Sequence, residues 1–314
     1  MMKHITSKDF SLKDSAVALG KFECIHLGHQ LLLEQIINQK KNKLNSVVFT
    51  FDLNPRLTLR GETNYQQIYT RRERYEILKS FGIDVLIEYP FTKEFASLSP
   101  EAFIRDVLVG RVGAKIVVVG KDFRFGKNRS GGIKELEHFS HELGYELVVM
   151  DKLKDHQKDV SSSRIRQLIN KGQMEEVTEL LGRPYTVYGE VVHGKALGRT
   201  IQIPTANLLT VPGKLLPPMG VYVSKVNIGD DLDHHYYGIT NIGVKPTVED
   251  TNTIGVETYI FDFNQDIYDQ NIIVGLLHFC RSEMKFQSIE DLIRQMRKDI
   301  SFGKSYVEEL NTNT

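Results

Sequence analysis

The chain has 314 residues, 41% of them hydrophobic, which is enough for two domains with ordinary apolar cores. Its 40 basic and 40 acidic side chains cancel, which excludes a global electrostatic attraction to nucleic acid or to an anionic membrane. Two cysteines, and an N-terminus that lacks the apolar core of a signal peptide, predict a cytoplasmic protein.

The first half of the chain alternates β-rich apolar runs with amphipathic segments. Apolar strands separated by helices predict a doubly wound parallel sheet, in which ligands bind beyond the carboxyl ends of the strands. The predicted strands lie at 16–19, 46–51, 85–89, 115–120 and 145–150, and the predicted helices at 31–37, 70–81, 135–143 and 161–170, with another beginning at Ser99-Pro100.

A turn with two histidines joins the first predicted strand to the first predicted helix. Residues 20–30 read Gly-Lys-Phe-Glu-Cys-Ile-His-Leu-Gly-His-Gln. Gly28 allows a phosphate to approach the backbone closely, and the helix N-terminus offers N–H groups and a positive dipole end to an anion. His26 and His29 can donate hydrogen bonds to a polyphosphate. These features predict a nucleotide site.

Two other interpretations of the histidine pair are a surface pair without function and half of a zinc site. Zinc would need two further ligands at suitable spacing. The only cysteines, Cys24 and Cys280, lie far apart in the sequence and form no C-x-x-C pair. The nucleotide site is therefore the favoured interpretation.

The pattern changes near residue 182, beyond which strand follows strand. Short strands separated by turn signals predict a small antiparallel β-barrel with an appended helix. We therefore expect two domains, 1–182 and 183–314. The predicted strands lie at 186–192, 220–226, 235–242, 256–263 and 271–279, and the closing helix at 288–300.

Taken together and in order, these motifs resemble the bacterial bifunctional riboflavin kinase/FMN adenylyltransferase (FAD synthetase) family. The first half carries the histidine turn, the loop 120–126 and the serine cluster 161–166; the second carries 182–185, 193–194, 198–199, 204–207, 241–247, 256–257 and Arg281. The resemblance implies a nucleotidylyltransferase domain followed by a riboflavin kinase barrel. It also implies ATP as co-substrate, flavins as substrates and products, and Mg²⁺ as cofactor.

The resemblance implies that the first domain transfers AMP from ATP to FMN and releases pyrophosphate. Because the acceptor phosphate is already ionised, catalysis there is mostly positioning and charge neutralisation. His26, His29 and Arg166 would take part in catalysis. The implied ATP contacts are Gly20, Phe22, His26, Gly28, His29, Ser162, Ser163 and Arg166, and the implied flavin contacts are Asp122, Phe123 and Arg124. A plain helix cap is the other interpretation of the serines.

The resemblance implies that the second domain phosphorylates riboflavin to FMN, with Glu257 as the general base that the ribityl hydroxyl needs. An exposed charge on an alternating strand is the other interpretation of Glu257. The implied ATP contacts are Gly194, Lys195, Gly198, Arg199, Thr205 and Asn207, the implied Mg²⁺ ligands are Thr205 and Asn207, and the implied flavin contacts are Glu257 and Arg281.

The chain departs from the family pattern at six positions. Lys21, Glu23 and Cys24 replace Asn, Asp and Gly, Leu53 and Asn54 replace Pro and His, and Gln202 replaces Gly. Most of these departures fall in the adenylyltransferase motifs, so they bear on its rate or acceptor preference. A diverged paralogue that keeps only one activity, most plausibly the kinase, and a catalytically poor flavin-binding regulator therefore stay open. The expected partners are small molecules, without nucleic acid or membrane, and a weak homo-oligomer is compatible with the sequence.

Overall fold

The structure is a computed structural model that describes residues 2–52, 65–193, 203–229, 234–245 and 253–312. Contacts divide the chain into two compact units, Met1–Ser162 and Ser163–Thr314. The domain boundary after residue 182 stays a prediction. Within the described ranges, no helix has the length and apolarity needed to cross a membrane.

A six-stranded sheet forms the centre of the first unit. It contains every strand predicted there and one further strand, β1, which has only three residues. The strands are β1 Lys3–Ile5, β2 Ser15–Leu19, β3 Asn45–Phe51, β4 Val85–Tyr89, β5 Ala114–Gly120 and β6 Glu146–Met150.

The sheet order is β1-β4-β3-β2-β5-β6, and all neighbouring strands run parallel. From β2 the chain builds outward through β3 and β4, then returns to place β5 on the other side of β2. The order therefore reverses between β2 and β5. In a doubly wound sheet, the crevice at the carboxyl ends of such strands is where ligands bind.

The two faces of the sheet are buried in separate apolar cores. Val17, Phe49 and Ile87 belong to one core, whereas the neighbouring residues Ala18 and Val48 belong to the other. Successive side chains of a strand point to opposite faces, so both faces are covered, as the predicted doubly wound fold requires.

Helices cover both faces of the sheet. Thr70 begins α2 with a capping box that includes Glu73, and Ser99 accepts a hydrogen bond from the Ala102 N–H at the start of α4. The helices are α1 Leu27–Asn38, α2 Arg71–Ser80, α3 Lys93–Ala96, α4 Pro100–Ala102 with the π-helical segment Phe103–Val109 that continues it, and α5 Ile133–Leu143. The short hairpin β7 Lys154–Asp155 and β8 Lys158–Asp159 follows the sheet.

A closed antiparallel barrel forms the centre of the second unit, as predicted. It also contains one strand that was not predicted, β10. The strands are β9 Tyr185–Val192, β10 Ala206–Leu208, β11 Gly220–Ile228, β12 Tyr236–Lys245, β13 Thr253–Ile260 and β14 Asn271–Ser282. The helices are α6 Ser162–Lys171, which begins at the boundary between the units, α7 Met174–Leu181, and α8 Ile289–Thr312.

The barrel order is β10-β13-β12-β11-β14-β9, closed by pairing between β10 and β9. Three hydroxyl groups form a buried chain inside it: Ser224 Oγ lies 2.7 Å from Thr240 Oγ1, which lies 2.9 Å from Thr258 Oγ1. The Ser224 hydroxyl also lies 3.2 Å from the Gly238 carbonyl oxygen. Because these buried groups bond to one another, the interior tolerates them without an unsatisfied polar atom.

The closing helix is longer than the predicted 288–300, since α8 continues to Thr312. Gly303 is a weak helix former, but its missing side chain lets α8 approach the barrel closely. A Cβ at Gly303 would lie 2.7 Å from Ile239 Cδ1 and 2.9 Å from Phe261 Cζ. Beyond it, Val307 joins the core formed with the barrel. Tertiary packing therefore extends the helix past the point where local propensity would end it.

One buried carboxylate ties three elements of the first unit together. The Glu88 side chain on β4 is fully buried, and it accepts hydrogen bonds from Arg71 Nε at 2.9 Å and from Arg74 Nη2. His4 Nε2 lies 3.0 Å from the same carboxylate. Burial raises the pKa of Glu88, but Arg74 and Arg71 outweigh it and hold the pKa below its ordinary value of 4.5.

We predict that Glu88→Gln lowers the free energy of unfolding by about 3–5 kcal/mol, because the nearly buried Arg74 loses its countercharge. Urea denaturation at neutral pH measures the loss. The control Arg72→Gln, which removes an exposed pair with Glu76 on the same helix, should cost less than about 1 kcal/mol.

The difference between Glu88→Gln and the unmodified chain should shrink in acid. Since the folded-state pKa of Glu88 is depressed, its stabilisation is complete above the unfolded-state pKa and is lost as the pH falls through the lower folded value. A difference that stays constant into acid would contradict the assignment of this charge.

Candidate functional site

The turn after β2 owes its shape to two residues in the left-handed region of the backbone. Phe22 has a φ of 44° and Ile25 a φ of 48°, while Cys24 is not among the positive-φ residues. Such conformations cost about 1–3 kcal/mol each and cluster at ligand sites. Both side chains are fully buried, which holds the turn in place. Cys24 therefore occupies its position, where glycine is usual, without backbone strain of its own.

The histidine pair begins helix α1 at the carboxyl end of β2. His26 is the N-cap residue, and its Nδ1 accepts a hydrogen bond from the His29 backbone N–H at 3.2 Å. The two imidazole rings are stacked, with centroids 3.8 Å apart and an interplanar angle of 12°. The Phe22 ring lies 5.0 Å from the His29 ring. Both imidazoles therefore lie together at a helix N-terminus, the geometry that suits an anion.

Cys24 lies against this pair, which the sequence did not predict. One ligand atom each from Cys24, His26 and His29 lies within 4.8 Å of the others. The Cys24 Sγ also lies 3.2 Å from Ser162 Oγ, at the start of α6. Of the two serines predicted as ATP contacts, Ser162 belongs to the same compact unit as the histidine turn and Ser163 does not.

Glu23, another departure from the family pattern, joins the turn to the chain before α2. Its Oε1 accepts a hydrogen bond from the Tyr65 hydroxyl at 2.6 Å and one from the Ile68 backbone N–H at 3.4 Å. The Thr50 hydroxyl donates to the Lys21 carbonyl oxygen at 2.9 Å. The substituted turn is therefore bonded to its surroundings.

The loop after β5 carries the predicted flavin contacts and lies on the other side of the switch point from the histidine turn. Asp122 pairs with Lys152 at 3.1 Å, and the hydrogen bonds that the Lys152 ammonium group donates to Asp122 and Asp159 raise the pKa of Lys152. The Phe123 and Phe125 rings are stacked, with centroids 5.6 Å apart. The loop therefore combines aromatic surface with exposed charge.

Arg124 extends from the same loop over the start of α5. Its Nη1 occupies the space that a side chain at Gly132 would need, and it lies 3.4 Å from the Phe123 carbonyl oxygen. Gly132 thus leaves room for the guanidinium group at the beginning of the helix. Ser163 and Arg166, predicted as ATP contacts, lie on α6 within the second unit.

A row of polar side chains crosses three barrel strands. In the strand register, Glu257 on β13 lies opposite Asn207 on β10 and opposite Asn241 on β12. Directly opposed residues have Cβ atoms about 4.5–5.5 Å apart and point to the same face. Val221 follows Asn241 in this row and packs in the core that includes Val307 of α8, so the row faces the outside of the barrel.

Asn241 is a candidate site residue that the sequence reasoning did not assign, although it opens the quoted motif 241–247. The sequence signal that could have identified Asn241 is an amide side chain inside a predicted strand that is otherwise rich in apolar and aromatic residues. In the structure this position is half-buried. Its proximity to Glu257 depends on strand register, which the sequence does not specify on its own.

The predicted Mg²⁺ ligands lie close together in the chain: Thr205 immediately precedes β10, and Asn207 is its middle residue. The Asn207 amide Nδ2 donates to the Thr205 carbonyl oxygen at 3.3 Å, which orients the amide group. Several residues named from the sequence lie outside the described residues: the predicted contacts Gly194, Lys195, Gly198 and Arg199, and the departures Leu53, Asn54 and Gln202.

Arg281, on β14, lies at the far end of the same row, opposite Val221 on β11. Its guanidinium group forms a bidentate pair with Asp299 of α8, with Nη2 and Nε at 2.6 Å and 3.0 Å from the carboxylate oxygens. Nη1 donates to the Ser282 carbonyl oxygen at 3.0 Å. Arg281 therefore joins α8 to the barrel, and its predicted flavin contact stays a prediction.

Comparisons with known proteins cover both halves of the chain. The family model for FAD synthetase matches residues 8–164, and the model for riboflavin kinase matches residues 181–307. A crystal structure of a macrolide-efflux protein from Streptococcus pneumoniae is 34% identical and has a TM-score of 0.82, over 94% of this chain and 96% of its own.

Full-length relatives combine the two halves in the same way. The bifunctional riboflavin kinase/FMN adenylyltransferase of Bacillus subtilis is 35% identical over 98% of both chains. That of Listeria monocytogenes is 34% identical over 98% of this chain and 96% of its own, and that of Escherichia coli K12 is 31% identical over 90% of each. The chain belongs to the bifunctional riboflavin kinase/FMN adenylyltransferase family.

Proposed function

We propose that this chain phosphorylates riboflavin to FMN at the barrel and adenylylates FMN to FAD at the parallel sheet, with ATP as the donor of the phosphoryl group in the first reaction and of AMP in the second. The observation that carries the proposal is the presence of two separate constellations. One is a histidine pair at a helix N-terminus beside the switch point, and the other is the row of Asn207, Glu257 and Asn241 on the barrel.

At the sheet, an FMN phosphate oxygen attacks the α-phosphorus of ATP, and pyrophosphate leaves. His26, His29 and the N-terminus of α1 hold the phosphates of ATP, where the helix dipole and the imidazole groups offset the negative charge. The loop with Asp122, Phe123 and Arg124 holds the flavin and its phosphate, with the aromatic ring as a stacking surface. Ser162, Ser163 and Arg166 hold a second anion.

At the barrel, Glu257 takes the proton of the ribityl hydroxyl as its oxygen attacks the γ-phosphorus of ATP, and ADP leaves. Asn207 and Asn241 lie opposite Glu257 on the two neighbouring strands, so their amide groups flank the place where the hydroxyl binds. Arg281, held by Asp299, contributes to the flavin side.

The donor set at Thr205 and Asn207 fits Mg²⁺, because hydroxyl and amide oxygens are ligands that this hard cation accepts. Held by Thr205 and Asn207, the ion would offset the negative charge of the ATP phosphates. We propose that these reactions take place in the cytoplasm, because the two cysteines of the sequence can both stay reduced, as in that compartment.

The match of both family models weighs against a chain that keeps one activity only. Product analysis by chromatography, with the purified chain, riboflavin, ATP and Mg²⁺, tests this directly. FMN followed by FAD supports two activities. A single product would indicate the diverged paralogue, and tight flavin binding without turnover would indicate the regulator.

We predict that His29→Ala lowers the rate of FAD formation from FMN by about 10²–10³-fold, because a donor to the ATP phosphates is lost. FMN formation from riboflavin should be unchanged, since it takes place at the barrel. Separate assays with FMN and with riboflavin measure the two rates. The control His141→Ala, on the exposed end of α5, should change neither rate. Unaltered FAD output in the His29 variant would refute its role.

We predict the converse for Glu257→Gln. Without a base, FMN formation should fall by about 10²–10⁴-fold, while conversion of FMN to FAD continues. The control Glu308→Gln changes an exposed carboxylate on α8 and should leave both rates unaltered. Equal loss of both activities in the Glu257 variant would contradict the division of labour between the halves.

A further inference from the structure

We propose that Cys24, His26 and His29 form a binding site for zinc or a chemically similar divalent cation within the histidine turn. The three residues come from one turn and one helix start, and their ligand atoms lie within 4.8 Å of one another. The histidine pair alone lacks two of the ligands that zinc needs, and the fold supplies one of them in Cys24.

The ligand atoms are close enough together for one ion to bind after side-chain rearrangement. In a tetrahedral site, Zn–S and Zn–N bonds of about 2.3 Å and 2.0–2.1 Å place the ligand atoms about 3.3–3.6 Å apart, which requires side-chain movements of about 1 Å here. One of the two stacked imidazole rings must also turn out of the stack, because a ring nitrogen binds a metal in the plane of its ring. Three protein ligands leave the fourth position to water, which is the arrangement of open zinc sites.

The donor set selects the class of metal. Thiolate and imidazole ligands favour zinc and related transition metals, whereas the Mg²⁺ that accompanies ATP favours oxygen. On binding, the Cys24 proton is released and the thiolate bonds to the ion. The Ser162 hydroxyl, 3.2 Å from the sulfur, can donate a hydrogen bond to that thiolate, as outer-shell groups of metal sites do.

Metal binding also has a cost that the structure identifies. His26 Nδ1 accepts a hydrogen bond from the His29 backbone N–H as the N-cap of α1. A neutral imidazole that coordinates a metal through one nitrogen carries its proton on the other, so this cap bond is lost. The His29 N–H keeps its contact with the His26 carbonyl oxygen at 2.7 Å. We expect the lost cap to weaken binding by only about fivefold.

The site would make the first unit sensitive to zinc. An imidazole bonded to a metal cannot also donate that nitrogen to a phosphate, so zinc and ATP compete for His26 and His29. This consequence rests on the proposed adenylyltransferase function, whereas metal binding itself does not. The sensitivity depends on Cys24, which stands where the family pattern has glycine.

Cobalt(II) spectroscopy on the full-length chain tests the site. We expect one Co²⁺ per chain, with tetrahedral visible bands and a near-ultraviolet band from thiolate-to-cobalt charge transfer, both abolished by Zn²⁺. Cys280→Ser should keep these bands, because Cys24 is then the only thiol in the chain. Burial raises the pKa of Cys280 to about 11, so this cysteine stays protonated and does not supply the thiolate in the unmodified chain. Cys24→Ser should lose the charge-transfer band and weaken Zn²⁺ binding at least about 100-fold.

Absence of the charge-transfer band in the unmodified chain, its loss in Cys280→Ser, or unchanged zinc affinity in Cys24→Ser would each overturn the proposal. The Cys280→Ser result assigns the sulfur even where Cys24→Ser does not fold. Zinc inhibition of FAD formation, measured against each variant's metal-free rate, should depend on Cys24. Bands without any FAD formation would refute the proposed function and leave the metal site standing, while FAD formation without bands would do the reverse.

Discussion

The position of β2 in the sheet determines where the first site lies. This strand pairs with β3 on one side and β5 on the other, so the loops that leave β2 and β5 diverge from a common crevice. The histidine turn and the loop around Asp122 are those two loops.

In the barrel, the candidate site is formed by side chains that strand register brings side by side, rather than by residues of a loop. Alternation along a strand separates a buried interior, with the hydroxyl chain of Ser224, Thr240 and Thr258, from an outer face with Glu257 between two asparagines. A shift of one residue in β13 would exchange Glu257 with its buried neighbours. The buried hydroxyl chain spans three strands and bonds only in the observed register, so it also fixes the position of the carboxylate.

The sequence predicted the long elements well because their periodicity is strong. Apolar runs such as 85–89 coincide with β4, and Thr70 and Ser99 cap the helices that they were expected to begin or open. Strands β1 and β10 were missed because each has only three residues, too few to establish an alternation. The extension of α8 was missed because the reason for it, packing of Gly303 against Ile239, lies outside the helix itself.

The candidate sites show the same division between local and long-range information. The histidine turn was predictable, since His26 and His29 lie within one turn of a helix. The neighbourhood of Cys24 was not, because it depends on left-handed backbone at Phe22 and Ile25, residue types that rarely adopt it. Similarly, the pairing of Asn241 with Glu257 is a long-range property of the barrel.

The closure of the barrel has a consequence for synthesis on the ribosome. Strand β9 pairs with β10 and β14, the first strand of the barrel thus meeting its last, so neither edge is satisfied until Ser282 has left the exit tunnel. The first unit, by contrast, has its whole sheet by Met150. We expect the nascent chain to carry a folded first unit while the barrel strands still have unpaired edges. During this interval, the edges can pair with the wrong partners.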